Sequence, residues 1–216
     1  MGKVAIITSN QTRHLWACNQ ISNVAEVVSI ISENKRPAID NNSIQNPKLL
    51  ADYLAARNKA ELEWFGSSLT DFADLTGKYL NKEWGYVNTA EAFGCLTEME
   101  IDCIFLFGCS IVQEQLLNRF QHRIVNMHLG LSPYYRGSAT NFWPLVDQCP
   151  ECVGVTVHHA TKKVDAGAII TQARPDILLT DTVHDIGCKT IIKGVNILQE
   201  LSKHVDSLPN GQVQMQ

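Results

Sequence analysis

The residues best equipped for chemistry are Asn126 and His128, two positions apart in Asn126-Met-His128, followed by the Gly-, Pro- and Tyr-rich stretch that runs to Gly137. His122-Arg-Ile-Val-Asn126 reads as a strand. Alternation at its end puts residues i and i+2 on one face, so an amide and an imidazole point the same way. Acyl-type transfer to an amine needs a donor for the oxyanion that forms and a group that moves a proton near neutral pH. Asn126 and His128 suit those tasks. An imidazole also needs a partner that fixes its tautomer or balances its cation. Asp165, in Lys163-Val-Asp165-Ala-Gly167, is the carboxylate assigned, and Gly167 is expected to let backbone approach a ligand closely. Taken singly, each residue has an ordinary structural reading, and only their combination points to a site.

The elements that must position these groups read as α/β. Val4–Ile7 is a short apolar run ending at Thr8-Ser-Asn10-Gln-Thr-Arg13, where a helix can start, and Val27–Ile31 follows as a second strand. The spacing predicts helix over 46–81, with Asn46-Pro47 as cap and first turn and a break at Gly66-Ser-Ser68. Asn88-Thr-Ala-Glu91 has capping-box spacing for a helix to about Met99. Ile101–Phe107 reads as a strand buried on both faces, followed by a short helix over 112–119. Strands Cys152–His159 and Ala168–Asp176 bracket the loop with Asp165, and Thr182 caps a last helix over 183–204. The expected fold is a doubly wound, mostly parallel sheet, in one catalytic domain over 1–207 with a disordered tail over 208–216.

In order along the chain stand Asn-x-His, a Pro-containing loop ending in Arg136-Gly137, Gly154-Val-Thr-Val-His158, and Val164-Asp165-Ala-Gly-Ala-Ile-Ile170. As an ordered set this resembles the folate-dependent formyltransferases that act on glycinamide ribonucleotide, methionyl-tRNA and nucleotide sugars, most clearly from Phe105 to Gln172. The resemblance implies a 10-formyltetrahydrofolate donor and no metal. It implies that Asn126 binds the carbonyl or tetrahedral oxygen, that His128 moves the amine proton, and that Asp165 orients or charge-balances it. It also implies pterin contacts at Phe107, Gly108, Cys109, Ser110 and Ile111, with Thr161 to Val164 closing over the same ring. By analogy within the family, Asn10, Arg13, Tyr135, Arg136 and His158 are assigned to the acceptor. Arg13 has the alternative of opening a solvated helix face, and the tyrosines that of packing on the sheet. His158 and His159 adjoin on a strand and face opposite ways, so they cannot share a metal.

Two departures stand out. The hydroxyl that commonly follows two residues after the histidine is replaced by Gly130, and the first loop, Thr8–Arg13, lacks the glycines of a phosphate-binding turn. The second disfavours glycinamide ribonucleotide and leaves a nucleotide-linked amino sugar as the first acceptor.

Composition sets the outer bounds. The 216 residues are 45% hydrophobic, enough for one α/β domain, and 18 Lys and Arg against 22 Asp and Glu give a net charge of −4. No basic run offsets it, so nucleic acid is disfavoured, and no additional carboxy-terminal domain of the tRNA-formylating kind is expected. The apolar run at Val4–Ile7 is too short for a signal-peptide core, Ile6 breaks a myristoylation pattern, and no membrane span is expected, so the reading is cytoplasmic. The seven cysteines are expected reduced, with Cys149-Pro-Glu-Cys152 a turn rather than a metal or redox site. A homodimer is compatible with this reading. The alternatives are a formyltetrahydrofolate hydrolase, a glycinamide ribonucleotide enzyme and a non-catalytic folate-binding domain. A dinucleotide oxidoreductase is weaker still, since no Gly-x-Gly-x-x-Gly follows a predicted strand.

Overall fold

The computed structural model describes residues 2–35, 46–67 and 78–214. Strand β1 (Lys3–Ser9) sends Val4 and Ile6 to one face and Ala5 and Ile7 to the other, and all four are buried. A strand that is apolar on both faces belongs inside a parallel sheet covered by helices on either side. That is its place in a seven-stranded sheet of order β3-β2-β1-β4-β5-β6-β7. Strands β2 (Glu26–Glu33), β3 (Tyr79–Lys82), β4 (Cys103–Phe107) and β5 (Ile124–His128) run parallel to β1. Strands β6 (Val155–His159) and β7 (Ile169–Ala173) follow as antiparallel additions.

Helices α1 (Thr12–Ser22), α2 (Pro47–Phe65) and α6 (Val183–Ser202) cover one face, while the single turn α5 (Trp143–Val146) stands between β5 and β6 in the chain. There Ala17, Cys18, Ile21, Phe65, Val195 and Leu198 meet Val4, Ile6, Phe105 and Met127. Across the sheet, Leu96 of α3 (Ala90–Glu98) and Leu116 of α4 (Glu114–Arg119) pack on Ala5, Ile7, Ile104 and Leu106. Each fully buried Leu, Ile or Phe in these layers contributes about 1.5–3 kcal/mol. The chain steps outward from β1 to β3, then returns to lay β4 on the other side of β1. This reversal opens a crevice at the carboxyl ends of the strands, where ligands bind in such sheets.

Three expectations need correction. Helix was predicted as far as residue 81, but α2 ends at Phe65 and Tyr79–Lys82 is the edge strand β3; residues 68–77 of that span lie outside the described residues. Its outward residues are exposed, so it carries little of the apolar alternation that identifies a strand. The cap of α3 is Thr89, which accepts from Ala92 N, one residue later than expected. The tail over 208–214 is not loose: Gln212 pairs with Ile169 as an antiparallel bridge and Gln214 is buried. One polar side chain that reads as solvated in sequence there, Gln214, finds buried backbone partners instead.

Candidate active site

Met127 points into the core beneath α6, so its neighbours Asn126 and His128 face the other side of β5. Antiparallel pairing sets Asn126 opposite His158 and His128 opposite Thr156, which places all four side chains on one face. Asp165 reaches them from the loop between β6 and β7, in a left-handed conformation (φ 51°) that a non-glycine residue seldom adopts.

The Asp165 carboxylate is the hub. Its Oδ1 accepts from Asn126 Nδ2 at 3.1 Å and lies 3.5 Å from His158 Nε2. Its Oδ2 accepts from the Gly137 amide at 2.9 Å and lies 3.3 Å from His128 Nδ1. Burial would raise its pKa, but the adjoining His158 and His128 imidazoles and the Gly137 amide outweigh that and hold it below the ordinary carboxylate value. Asp165 is therefore ionised at neutral pH. His128 is 6% exposed, and its burial pushes the imidazole below its usual value against the pull of Asp165. His158 and Arg136 push in the same direction as burial. The imidazole is neutral at pH 7, as a base must be.

Hydrogen-bond direction fixes more detail. His128 Nε2 lies 2.9 Å from the Tyr135 carbonyl, which can only accept, so Nε2 carries the proton. His158 Nδ1 likewise donates to the His159 carbonyl at 2.8 Å, leaving its Nε2 to accept from Asn126 Nδ2 at 3.0 Å. Both amide protons of Asn126 are thus engaged, one by Asp165 and one by His158. His159 turns the other way and donates to the Pro209 carbonyl at 2.6 Å.

The departure at Gly130 now has a physical reason. A Cβ at Gly130 would lie 2.6 Å from His128 Nε2 and 2.7 Å from Thr140 Cβ, so no side chain fits. The Thr140 hydroxyl bonds the Leu129 carbonyl in that space. Thr156 Oγ1 donates to the Gly130 carbonyl and accepts from Ser132 N, which fixes the loop after His128. Gly167 packs against the His159 carbonyl, so its lack of a side chain serves chain packing rather than the approach of a ligand expected from sequence.

The segment expected to contact the pterin lies at the carboxyl end of β4. Phe107 and Ser110 are buried there, Cys109 is half-buried and Ile111 is exposed. Gly108 takes a φ of 70°, with the buried His14 ring in the space its Cβ would need. Sequence reasoning missed what holds this loop. Glu33, fully buried at the end of β2, accepts from Ser110 N at 2.7 Å, Ser110 Oγ at 3.1 Å, and Gly85 N and Val87 N each at 3.1 Å. Asn88 adds bonds to Ile111 O and Gln113 N. An acidic residue at the end of a strand rich in Val and Ile was the available signal, since a charge is buried only with partners. On the facing loop, Thr161 Oγ1 caps the Lys163 carbonyl, Val164 is exposed, and Lys162 pairs with Glu114 of α4 at 3.3 Å.

The residues expected to meet the acceptor are dispersed. His158 belongs to the trio's own network. Asn10 Nδ2 donates to Asn34 Oδ1 at 3.0 Å at the end of β1. Arg13 is turned onto Glu61 of α2 and Gln11, the ion pair being nearly buried. Tyr135 lends its carbonyl to His128 and its hydroxyl to Asp147 at 2.9 Å. The Arg136 guanidinium is bound to Gln214 Oε1. All seven cysteines are free, and among the described residues no His, Cys, Asp or Glu cluster is arranged to hold a metal ion. No helix among them is long and apolar enough to cross a membrane.

Residues 2–201 match the formyl transferase family. Among curated proteins, phosphoribosylglycinamide formyltransferase of Haemophilus influenzae is 26% identical over 195 residues, 88% of this chain and 80% of that one. Among solved structures, phosphoribosylglycinamide formyltransferase from Bacillus halodurans superposes with a TM-score of 0.66 at 19% identity, covering 96% of this chain and 97% of that one. The formyltransferase PseJ from Anoxybacillus kamchatkensis, solved with UDP-4,6-dideoxy-4-formamido-L-AltNAc and tetrahydrofolate, superposes with a TM-score of 0.55 at 16% identity, covering 100% of this chain and 82% of that one.

Proposed function

Since the chain belongs to the formyl transferase family, whose members draw on formyl-tetrahydrofolate, we propose that Asn126, His128 and Asp165 carry formyl transfer to the amine of a small acceptor. One observation carries this reading: a single buried carboxylate lies within reach of both the amide and the imidazole.

When the amine attacks the formyl carbon, the carbonyl oxygen gains negative charge. Asn126 gives up one of its two present bonds and donates that N–H to the oxygen. The amine must lose a proton, and the neutral His128 takes it through ring rotation or through Nδ1, which has no hydrogen in the resting state. The imidazolium so formed is stabilised by Asp165. The proton then passes to the departing nitrogen of the folate, which leaves as tetrahydrofolate. Phe107 to Ile111 would hold the pterin from one side and Thr161 to Val164 from the other. Ile111 and Val164 supply exposed apolar surface on the two loops.

The acceptor favoured is a nucleotide-linked amino sugar. Tyr134 is 77% exposed and Trp143 is 50% exposed, both on the segment after His128, and flat aromatic faces of this kind stack on a base. Arg13, the cation nearest the start of α1, is committed to Glu61, which weakens the case for a terminal phosphate there. A second reading, glycinamide ribonucleotide, is favoured by the relative that aligns with 88% of the chain. Incubation with a 13C-formyl donor and each amine in turn, followed by mass analysis, tests the assignment. Label on the nucleotide sugar supports the first reading and label on glycinamide ribonucleotide the second. Rapid formate release without an amine would replace both with hydrolysis.

A further inference from the structure

Beyond α6 the chain does not leave the molecule. Leu208 packs on the main core, the Pro209 carbonyl accepts from His159, and Gln212 exchanges two backbone bonds with Ile169, at 2.7 and 2.8 Å. The next two side chains alternate as on an edge strand: Val213 is 82% exposed and Gln214 is 8% exposed. The last two of these anchors, His159 and Ile169, flank the loop that carries Asp165.

The Gln214 amide is fully used. Its Nε2 donates to the Asp165 carbonyl at 3.1 Å and to the Gly167 carbonyl at 2.7 Å. Its Oε1 accepts from Arg136 Nε at 3.1 Å and Nη2 at 2.5 Å. Two N–H groups and two lone pairs exhaust what a carboxamide offers. The partners come from the two segments whose contact closes the trio. Arg136 precedes Gly137, whose amide holds Asp165 Oδ2, while Asp165 and Gly167 form the left-handed turn that aims the carboxylate. A strained turn persists only where its surroundings over-determine it, and here the buried donor to its carbonyls is Gln214. Among the described residues the other donor to the Asp165 carbonyl is Ser132 Oγ, at a long 3.4 Å. Among the described residues no carboxylate lies within ion-pairing distance of Arg136, so the neutral amide holds the guanidinium without cancelling its charge.

We propose that Gln214 is a positioning residue for formyl transfer: through one amide it fixes the Asp165 turn and the Arg136 loop against each other, and thereby the carboxylate that Asn126 and His128 share. The inference rests on the functional reading above. It gives Gln214, at the end of the strap, a part in the working machinery, while its exposed neighbour Val213 touches none of it.

The test compares Gln214→Ala and Gln214→Glu with Val213→Ala, an exposed neighbour outside the machinery. Misplacement of a reacting group by about 1 Å costs on the order of 100-fold in rate. Gln214→Ala is therefore expected to lower kcat by about 10- to 100-fold, with the donor KM within about twofold and the melting temperature lowered by several degrees in a protein that still folds. Gln214→Glu still accepts from Arg136 but has no N–H for the two carbonyls, so it should lose as much. Val213→Ala should match the parent. Unchanged kcat in Gln214→Ala, parental activity in Gln214→Glu, or a parallel fall in Val213→Ala would each overturn the proposal. A second readout needs no acceptor. The ring 15N resonances of His128 in ligand-free protein should shift in Gln214→Ala and stay in place in Val213→Ala, and an unshifted ring in Gln214→Ala overturns the proposal. If the parent formylates none of the amines offered, the functional reading fails, while the ring resonances still decide the role of Gln214.

Discussion

Replacing Asp165 with Asn removes the charge at the hub at nearly constant shape, and turns the acceptor that faces Asn126 Nδ2 into a donor. The new amide keeps an oxygen for the Gly137 N–H, now bonded at 2.9 Å, so the loop should hold its place. What disappears is the negative charge 3.3 Å from His128 Nδ1. At an effective permittivity of about 20, two unit charges at that distance attract by about 5 kcal/mol. The pair is buried, with 6% and 9% of the two side chains exposed, so salt screens little of it. The imidazolium exists only after His128 has taken the amine proton, so the loss falls on the transition state. Five kcal/mol corresponds to between three and four powers of ten, and the expected fall in kcat is about 1000-fold once local relaxation is allowed. The assay is steady-state release of tetrahydrofolate, followed by absorbance, with folate affinity measured separately by titration. A loss below about 10-fold, or an equal loss of folate affinity, would refute the reasoning, because the carboxylate would then not be serving His128.

Asn126→Asp removes the N–H assigned to the oxyanion and sets a second carboxylate against Asp165, so kcat should fall by about 100- to 1000-fold; a pre-steady-state trace with normal amplitude and rate would contradict this. Glu33→Gln leaves donors in the 84–88 and 108–111 segments facing an amide that cannot accept from all of them. It should destabilise by about 2–4 kcal/mol in urea titrations and weaken folate binding, and an unchanged midpoint would contradict the assigned bonds. His14 is fully buried with Nδ1 lacking a hydrogen-bond partner, and burial, followed by the charges of Arg13, Lys35 and Arg57, drives its pKa well below 6.5. The unfolded chain takes up this proton and the folded one does not, so stability should decline as pH falls below about 6.5, by up to about 1.4 kcal/mol per unit. His14→Leu should flatten that decline in denaturation midpoints from pH 7.5 to 5, and an unchanged slope would show that His14 is not its source.

Much of this was legible because the physics was local. Apolar runs such as Ile101–Phe107 give buried parallel strands, and Thr182 with Asp185 forms the capping box that starts α6. Asn126 and His128 share a face through strand alternation alone, and their pairing with Asp165 followed from the chemistry an imidazole requires. What stayed hidden depends on distant partners. Arg13 looks like a free cation until Glu61, on the next helix, claims it. Tyr135 contributes a carbonyl to His128, which no side-chain pattern announces. Glu33 and Gln214 act through buried bonds to residues 77 and 49 positions away. β3 lacks the apolar alternation that reveals a strand, and the polar tail carries no sign of the carbonyls it will meet.

The central claim is that His128, sharing Asp165 with Asn126, moves the proton during formyl transfer. Single-turnover transfer from a 13C-formyl folate, measured alongside folate affinity for the parent and for His128→Ala, tests it most directly. The account predicts that the parent places label on the acceptor amine, and that His128→Ala binds folate with similar affinity but transfers at least about 100-fold more slowly. Transfer by His128→Ala at the parental rate would contradict it and move the chemistry to another part of the molecule.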